Sequence, residues 1–197
     1  MKLSKNHKME IAVFALAIIL RTVFFWFNLA AHNYDLMGTI WKSESYYELA
    51  GNMLAGHGFS SVTSEPFSPD SLRVPLYPLF LAAIMKVFQT NWMIVVIQII
   101  LGSVIPVFAK RIGQYILANE KIALAVGIFF AIEPLLVDLS GVMLTETLFL
   151  TIFFGSLIAL CKYLENEKFY HLAASAVLLG LATLTRPVTQ YLWVFIV

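Results

Sequence analysis

Five side chains in this sequence, Glu44, Glu48, Arg73, Glu146 and Arg186, are of the types that move protons and hold phosphate. A carboxylate set beside a hydroxyl takes its proton as that hydroxyl attacks. A guanidinium stays charged and offers two parallel donors to a pair of phosphate oxygens. Arg73 stands directly before Val-Pro-Leu-Tyr-Pro, where Pro75 and Pro78 stiffen the chain, and Arg186 directly precedes Pro187. Each arginine reads either as a fixed phosphate ligand or as a long side chain reaching for lipid headgroups. Glu146 opens an apolar helix after Ser-Gly-Val-Met-Leu-Thr, and the helix dipole alone also favours a carboxylate there.

What must position these groups is a membrane. The 197 residues are 60% hydrophobic and only 13% charged, against about 45–50% and ~25% in a soluble domain. The mean hydropathy is +0.82. This composition implies an all-α integral membrane protein, a polytopic bundle of transmembrane helices with a long extracytoplasmic first loop carrying interfacial helices. A net charge of +1 without a clustered basic face argues against a nucleic-acid partner. The single Cys161 excludes an internal disulfide, and no metal-site pattern is visible.

The first span is expected at residues 11–31. Its apolar run is broken only by Arg21, and no small-residue cleavage site closes a short core, so it reads as uncleaved. From 32 to 91 the chain is mostly polar and contains Pro and Gly. Within this loop Tyr46, Tyr47, Ala50, Met53 and Leu54 form a helical stripe suited to lying on the membrane surface, ended by Gly56 and Gly58. The apolar stretch Pro75–Met85 is too short to span and reads as an interfacial or re-entrant helix. Further spans are expected at 92–109, 122–139, 144–160 and 171–185. A last one begins near 188 and is incomplete at 197, so the chain reads as one transmembrane domain forming the N-terminal part of a longer protein.

Charge sets the orientation. With the N-terminus inside, eight of the thirteen Lys and Arg fall on the inner side, four on the outer side, and Arg21 within the bilayer. Lys and Arg favour the cytoplasmic face. Loop 32–91, the turn at 139–145 and Arg186 are therefore expected outside the plasma membrane, where the five residues converge. Charged groups at bilayer depth tend to pair with one another, so Arg21 is expected to pair with Glu133, with Asp138 nearby. His32 and His57 lack partners at metal spacing and read as ordinary loop residues. Trp26, Trp41, Trp92 and Trp193 read as interface anchors.

The order of short motifs adds a resemblance. A first span is followed by Tyr-x-x-Leu-Ala from Tyr46 and by Gly-x-Gly-Phe-Ser from Gly56. Arg-x-Pro-Leu-Tyr-Pro from Arg73, Leu-Thr-Glu ending at Glu146 and Leu-Thr-Arg-Pro ending at Pro187 complete the series. The series resembles the polyprenyl-phosphate-sugar-dependent glycosyltransferases of the GT-C superfamily, the group that includes protein O-mannosyltransferases and the lipid A aminoarabinose transferase. The resemblance implies an inverting transfer of one sugar from a polyprenyl-phosphate sugar in the membrane lipid to a glycan, lipid or protein acceptor, with no metal or nucleotide cofactor. It also implies a phosphate-binding role for Arg73, with Tyr77 and Arg186 beside the donor, and an acidic role for Glu146. A further carboxylate of the first loop would serve as base. That acid usually stands four residues before the tyrosine of Tyr-x-x-Leu-Ala, where this chain has Lys42. Glu44 is the residue expected to substitute, with Asp35 the alternative. Lys42 also leaves open a relative that binds lipid-linked sugar without transferring it, or a membrane scaffold. A transporter is a third reading, but it usually shows repeated halves with broken helices.

Overall fold

The computed structural model describes residues 5–42 and 44–195. The expected inner-side Lys2 and the side chain of Trp193 lie outside the described residues. In chain order the elements are α1 (Lys5–Ala31), α2 (Leu36–Ile40), α3 (Tyr46–Ala55), α4 (Leu76–Phe88), α5 (Trp92–Leu117), α6 (Glu120–Ile132), α7 (Pro134–Leu139), α8 (Glu146–Asn166) and α9 (Phe169–Thr183), followed by a 3-10 helix at Pro187–Phe195. The fold is an all-α helical bundle. Among the described residues three stretches, Asn6–Ala31, Trp92–Leu117 and Glu146–Asn166, are long and apolar enough to cross a membrane. At about 1.5 Å per residue even the shortest reaches across ~30 Å of hydrocarbon.

α5 is the central helix and packs on α1, α4, α6 and α8. Gly127 of α6 permits the close approach of α6 to α5. A Cβ there would come within 2.9 Å of the Lys110 Cβ and 3.2 Å of the Pro106 carbonyl. The span expected at 92–109 runs on to Leu117, so Lys110 and Arg111 do not end it. Their charges are met inside the bundle. Lys110 is fully buried and donates to Asn6, while Arg111 donates to both oxygens of Glu10 at 2.9 and 2.7 Å.

The span expected at 122–139 is two helices, broken at Glu133-Pro134. Pro134 has no N–H to give the Phe130 carbonyl, one turn back. The Arg21 guanidinium occupies that gap. It donates through Nη2 to the Phe130 carbonyl at 3.5 Å and through Nη1 to the Ala131 carbonyl at 3.2 Å, while Nε reaches the Ser140 hydroxyl at 3.1 Å. Glu133 turns its carboxylate onto the Leu136 amide at 2.7 Å and caps α7. Arg21 and Glu133 attract each other without direct ionic contact, and each repairs one side of the helix break: the cation satisfies the orphaned carbonyls and the anion an orphaned amide.

The segment between α1 and α5 is anchored to the bundle. α3 packs on α4, and α4 on α5. Leu49, Ala50, Tyr77, Leu81 and Ile84 are buried, and all but Leu49 lie in one apolar cluster with Phe25, Leu29, Ile94 and Met143. α3 ends at Gly56, whose φ of 83° is a backbone state that glycine tolerates best. Backbone bonds complete the attachment. The Met143 amide donates to the Ile40 carbonyl at 2.8 Å, and the Leu76 amide to the Leu184 carbonyl at 3.0 Å. Trp26 and Trp92 are both exposed, with ring centroids 6.0 Å apart, at the end of the bundle that carries this segment.

Candidate functional site

Tyr46, the first residue of α3, is the meeting point of the charged groups. Its hydroxyl lies beside Glu44 and in the field of Glu44, Arg73 and Glu146. Burial is the main cause that raises this phenol above its usual value, and the Glu44 carboxylate adds to it. The Arg73 guanidinium carbon stands 6.0 Å from the Tyr46 ring centroid, a loose cation–π geometry. Behind it, the Tyr77 ring meets the Tyr46 ring edge-on at 5.1 Å. Residues from α3, the α3–α4 connection and the start of α8 are therefore gathered around one aromatic ring.

Arg73 owes its position to Asp70. The Asp70 side chain accepts from the Leu72 and Arg73 amides, both at 3.0 Å, from the Ser61 hydroxyl at 2.9 Å and from Arg73 Nη1 at 2.5 Å. Burial alone would raise the Asp70 carboxyl. The four donors outweigh burial and hold it below the usual carboxylate range. At the opposite edge Arg186 Nη1 meets Glu146 Oε1 at 2.5 Å, and the Thr145 hydroxyl lies 3.3 Å from Glu146 Oε2. Each arginine spends one N–H on its carboxylate in these contacts. With five donors per guanidinium, both retain capacity for phosphate oxygens.

The expected site residues have different fates. Glu44 is exposed and reaches Tyr46, and Arg73, Glu146 and Arg186 are partly exposed at the same end of the bundle. Tyr77 is fully buried, and its hydroxyl donates to Gln98 Oε1 at 3.0 Å. It is thus a packing support under Tyr46 and not a surface group. Glu48 turns away to accept from the Trp41 indole at 3.1 Å. Asp35 is exposed just before α2. His57 stacks on Phe67 at 4.0 Å, and His32 bonds the Asn28 carbonyl. Among the described residues no group of three His, Cys, Asp or Glu converges to hold a metal. Two residues that organise this end have a part the sequence alone does not suggest: Asp70, which holds Arg73, and Tyr46, read there only as a stripe and motif residue. The signal for Asp70 was present in Pro-Asp-Ser-Leu-Arg, because an aspartate that turns the chain with its own side chain commonly bonds amides two and three residues on.

A family model described as dolichyl-phosphate-mannose-protein mannosyltransferase matches residues 68–197. The matched range begins after Glu44 and Tyr46 and includes Asp70, Arg73, Tyr77, Glu146 and Arg186. No curated protein and no solved structure matches the chain.

Proposed function

The chain belongs to the dolichyl-phosphate-mannose-protein mannosyltransferase family, a membrane glycosyltransferase family, and from that premise we propose that it transfers a sugar from a polyprenyl-phosphate donor to an acceptor hydroxyl at the extracytoplasmic face. The observation that carries this reading is the convergence of Glu44, Arg73 and Glu146 on Tyr46, with Arg186 paired to Glu146. Glu44, exposed beside the tyrosine hydroxyl, takes the acceptor proton. The acceptor oxygen attacks the anomeric carbon, the bond from that carbon to the phosphate oxygen breaks with inversion, and the phosphate leaves with the bonding electrons. Arg73 and Arg186 hold the phosphate as its charge grows. An incoming phosphate draws Arg186 away from Glu146, and the released carboxylate then orients the acceptor.

The excess of Lys and Arg at the opposite end of the bundle supports placing this site outside. In the whole enzyme, a transfer assay with a polyprenyl-phosphate sugar tests the reading. Glu146→Gln and Arg73→Ala each lower turnover by ~100-fold or more, and undiminished transfer by both defeats the assignment. Lys42, where the family's first-loop acid is expected, favours a second reading, a relative that binds lipid-linked sugar without turnover. Activity gained only in Lys42→Asp would establish that alternative.

A further inference from the structure

At the end of the bundle away from Tyr46, α1, α5 and α8 enclose a cavity of about 430 Å³ whose wall includes Glu10, Arg111, Gln114, Tyr115, Lys162 and Glu165. This is the volume range of small-molecule sites, ~300–1,000 Å³, and the transfer chemistry uses none of these residues. Several acceptors in the wall are engaged. Glu10 receives Arg111 Nε at 2.9 Å and Nη2 at 2.7 Å, while the Glu165 carboxylate lies in the same wall as Tyr115. Gln114 Oε1 receives Asn6 Nδ2 at 3.3 Å and Lys110 Nζ at 3.4 Å.

The donors have capacity to spare. A guanidinium carries five N–H groups, and only two of those on Arg111 are spent on Glu10. Among the described residues the Gln114 amide nitrogen and the Lys162 ammonium donate no hydrogen bond. Glu10 holds Arg111 in one orientation through a two-point contact, so its remaining donors are presented at a fixed place. Fixed N–H donors in surplus, two of the groups cationic, are what a phosphate group requires.

We infer that this cavity binds the phosphate group of an anionic ligand through Lys162, the Gln114 amide and the spare N–H groups of Arg111. The ligand is either an anionic lipid headgroup of the adjoining leaflet or a water-soluble phosphate, which share that chemistry. The inference stands apart from the transfer reaction and does not depend on it.

The test titrates the purified protein with short-chain phosphatidylglycerol and, separately, with inorganic phosphate. Native mass spectrometry reads the first and thermal shift the second. Saturable binding is expected, weakened about tenfold in Lys162→Gln, or ~1.4 kcal/mol. The unliganded melting temperature should be unchanged, since Lys162 bonds no other described residue. Lys168→Gln, on the neighbouring turn and outside the cavity, should bind as the parent does. Tighter binding of the lipid identifies a headgroup site, tighter binding of phosphate identifies a site for soluble phosphates, and either upholds the cavity as an anion site. Absence of binding by both probes overturns it, as does equal affinity in Lys162→Gln and parent, or an equal loss in Lys168→Gln.

Discussion

The two ends of this bundle use the same residue types in opposite ways. At one end Arg111 and Glu10 share two parallel hydrogen bonds, and Lys110 is buried against Asn6 and Gln114. At the other, Arg73 and Arg186 each meet a carboxylate through a single side-chain nitrogen, Arg73 over the Tyr46 ring. A two-point pair between helices fixes their relative position and is costly to open. The one-point, partly exposed Arg186–Glu146 pair contributes little to stability and exchanges readily for a stronger anion, whereas Arg73 stays held on the buried Asp70 carboxylate. The contrast separates an end that holds α1 against α5 from an end where Arg186 can change partners, as the proposed transfer requires.

Substitutions can break that contrast. The largest effects belong to the outer end. Glu44→Gln in the whole enzyme should reduce turnover by ~100-fold or more, as for a lost general base, with the melting temperature unchanged. A large loss of stability instead would reassign Glu44 to structure. Next comes the helix break. Arg21→Leu strands the Phe130 and Ala131 carbonyls at about 1–3 kcal/mol for each buried group. Chemical denaturation should register it, and Arg21→Lys should recover part of the loss. Glu10→Gln sharpens the comparison from the inner side. It should cost about 1–2 kcal/mol, between exposed and buried pairs, with transfer activity retained. Loss of activity at constant stability would erase the distinction between the ends.

The smallest effect is acidic. Because the folded Asp70 carboxyl sits below its usual value, its contribution to stability is present above the ordinary aspartate range, ~3.9. That contribution is lost only as pH falls through the lowered folded value. Donor affinity in the parent should therefore stay level from neutrality down to about pH 4, measured as the KM for the lipid-linked sugar. Asp70→Asn, which removes the charge that aligns Arg73, should raise KM a few-fold across that whole interval. A pH-dependent difference between the two would show that Asp70 titrates in the working range.

The helical class, the first span and the end of α3 were legible because each rests on local signals: apolar runs and Gly after an amphipathic stripe. Gly56 ends α3 as its sequence implies. The errors have one origin, since partners distant in sequence decide them. Lys110 and Arg111 look like the end of a span until Glu10 and Asn6, roughly a hundred residues earlier, are seen to meet them. Arg21 and Glu133 look like a pair because opposite charges at depth usually are one. Only the fold shows that Pro134 leaves both with other duties. Tyr77 reads as a motif tyrosine beside the donor, yet its burial depends on how α4 lies on α5.

The amide of Leu76 and the carbonyl of Leu184 form one hydrogen bond, with Arg73 just before its first partner and Arg186 just after its second. The two cations are thus mounted like the jaws of a calliper on a single peptide rivet. The gauge between them is set by backbone, and side-chain reach alone adjusts it. Leu76→Pro, which deletes the rivet and touches neither jaw, should blur the spacing on which the proposed grip of both on one phosphate relies.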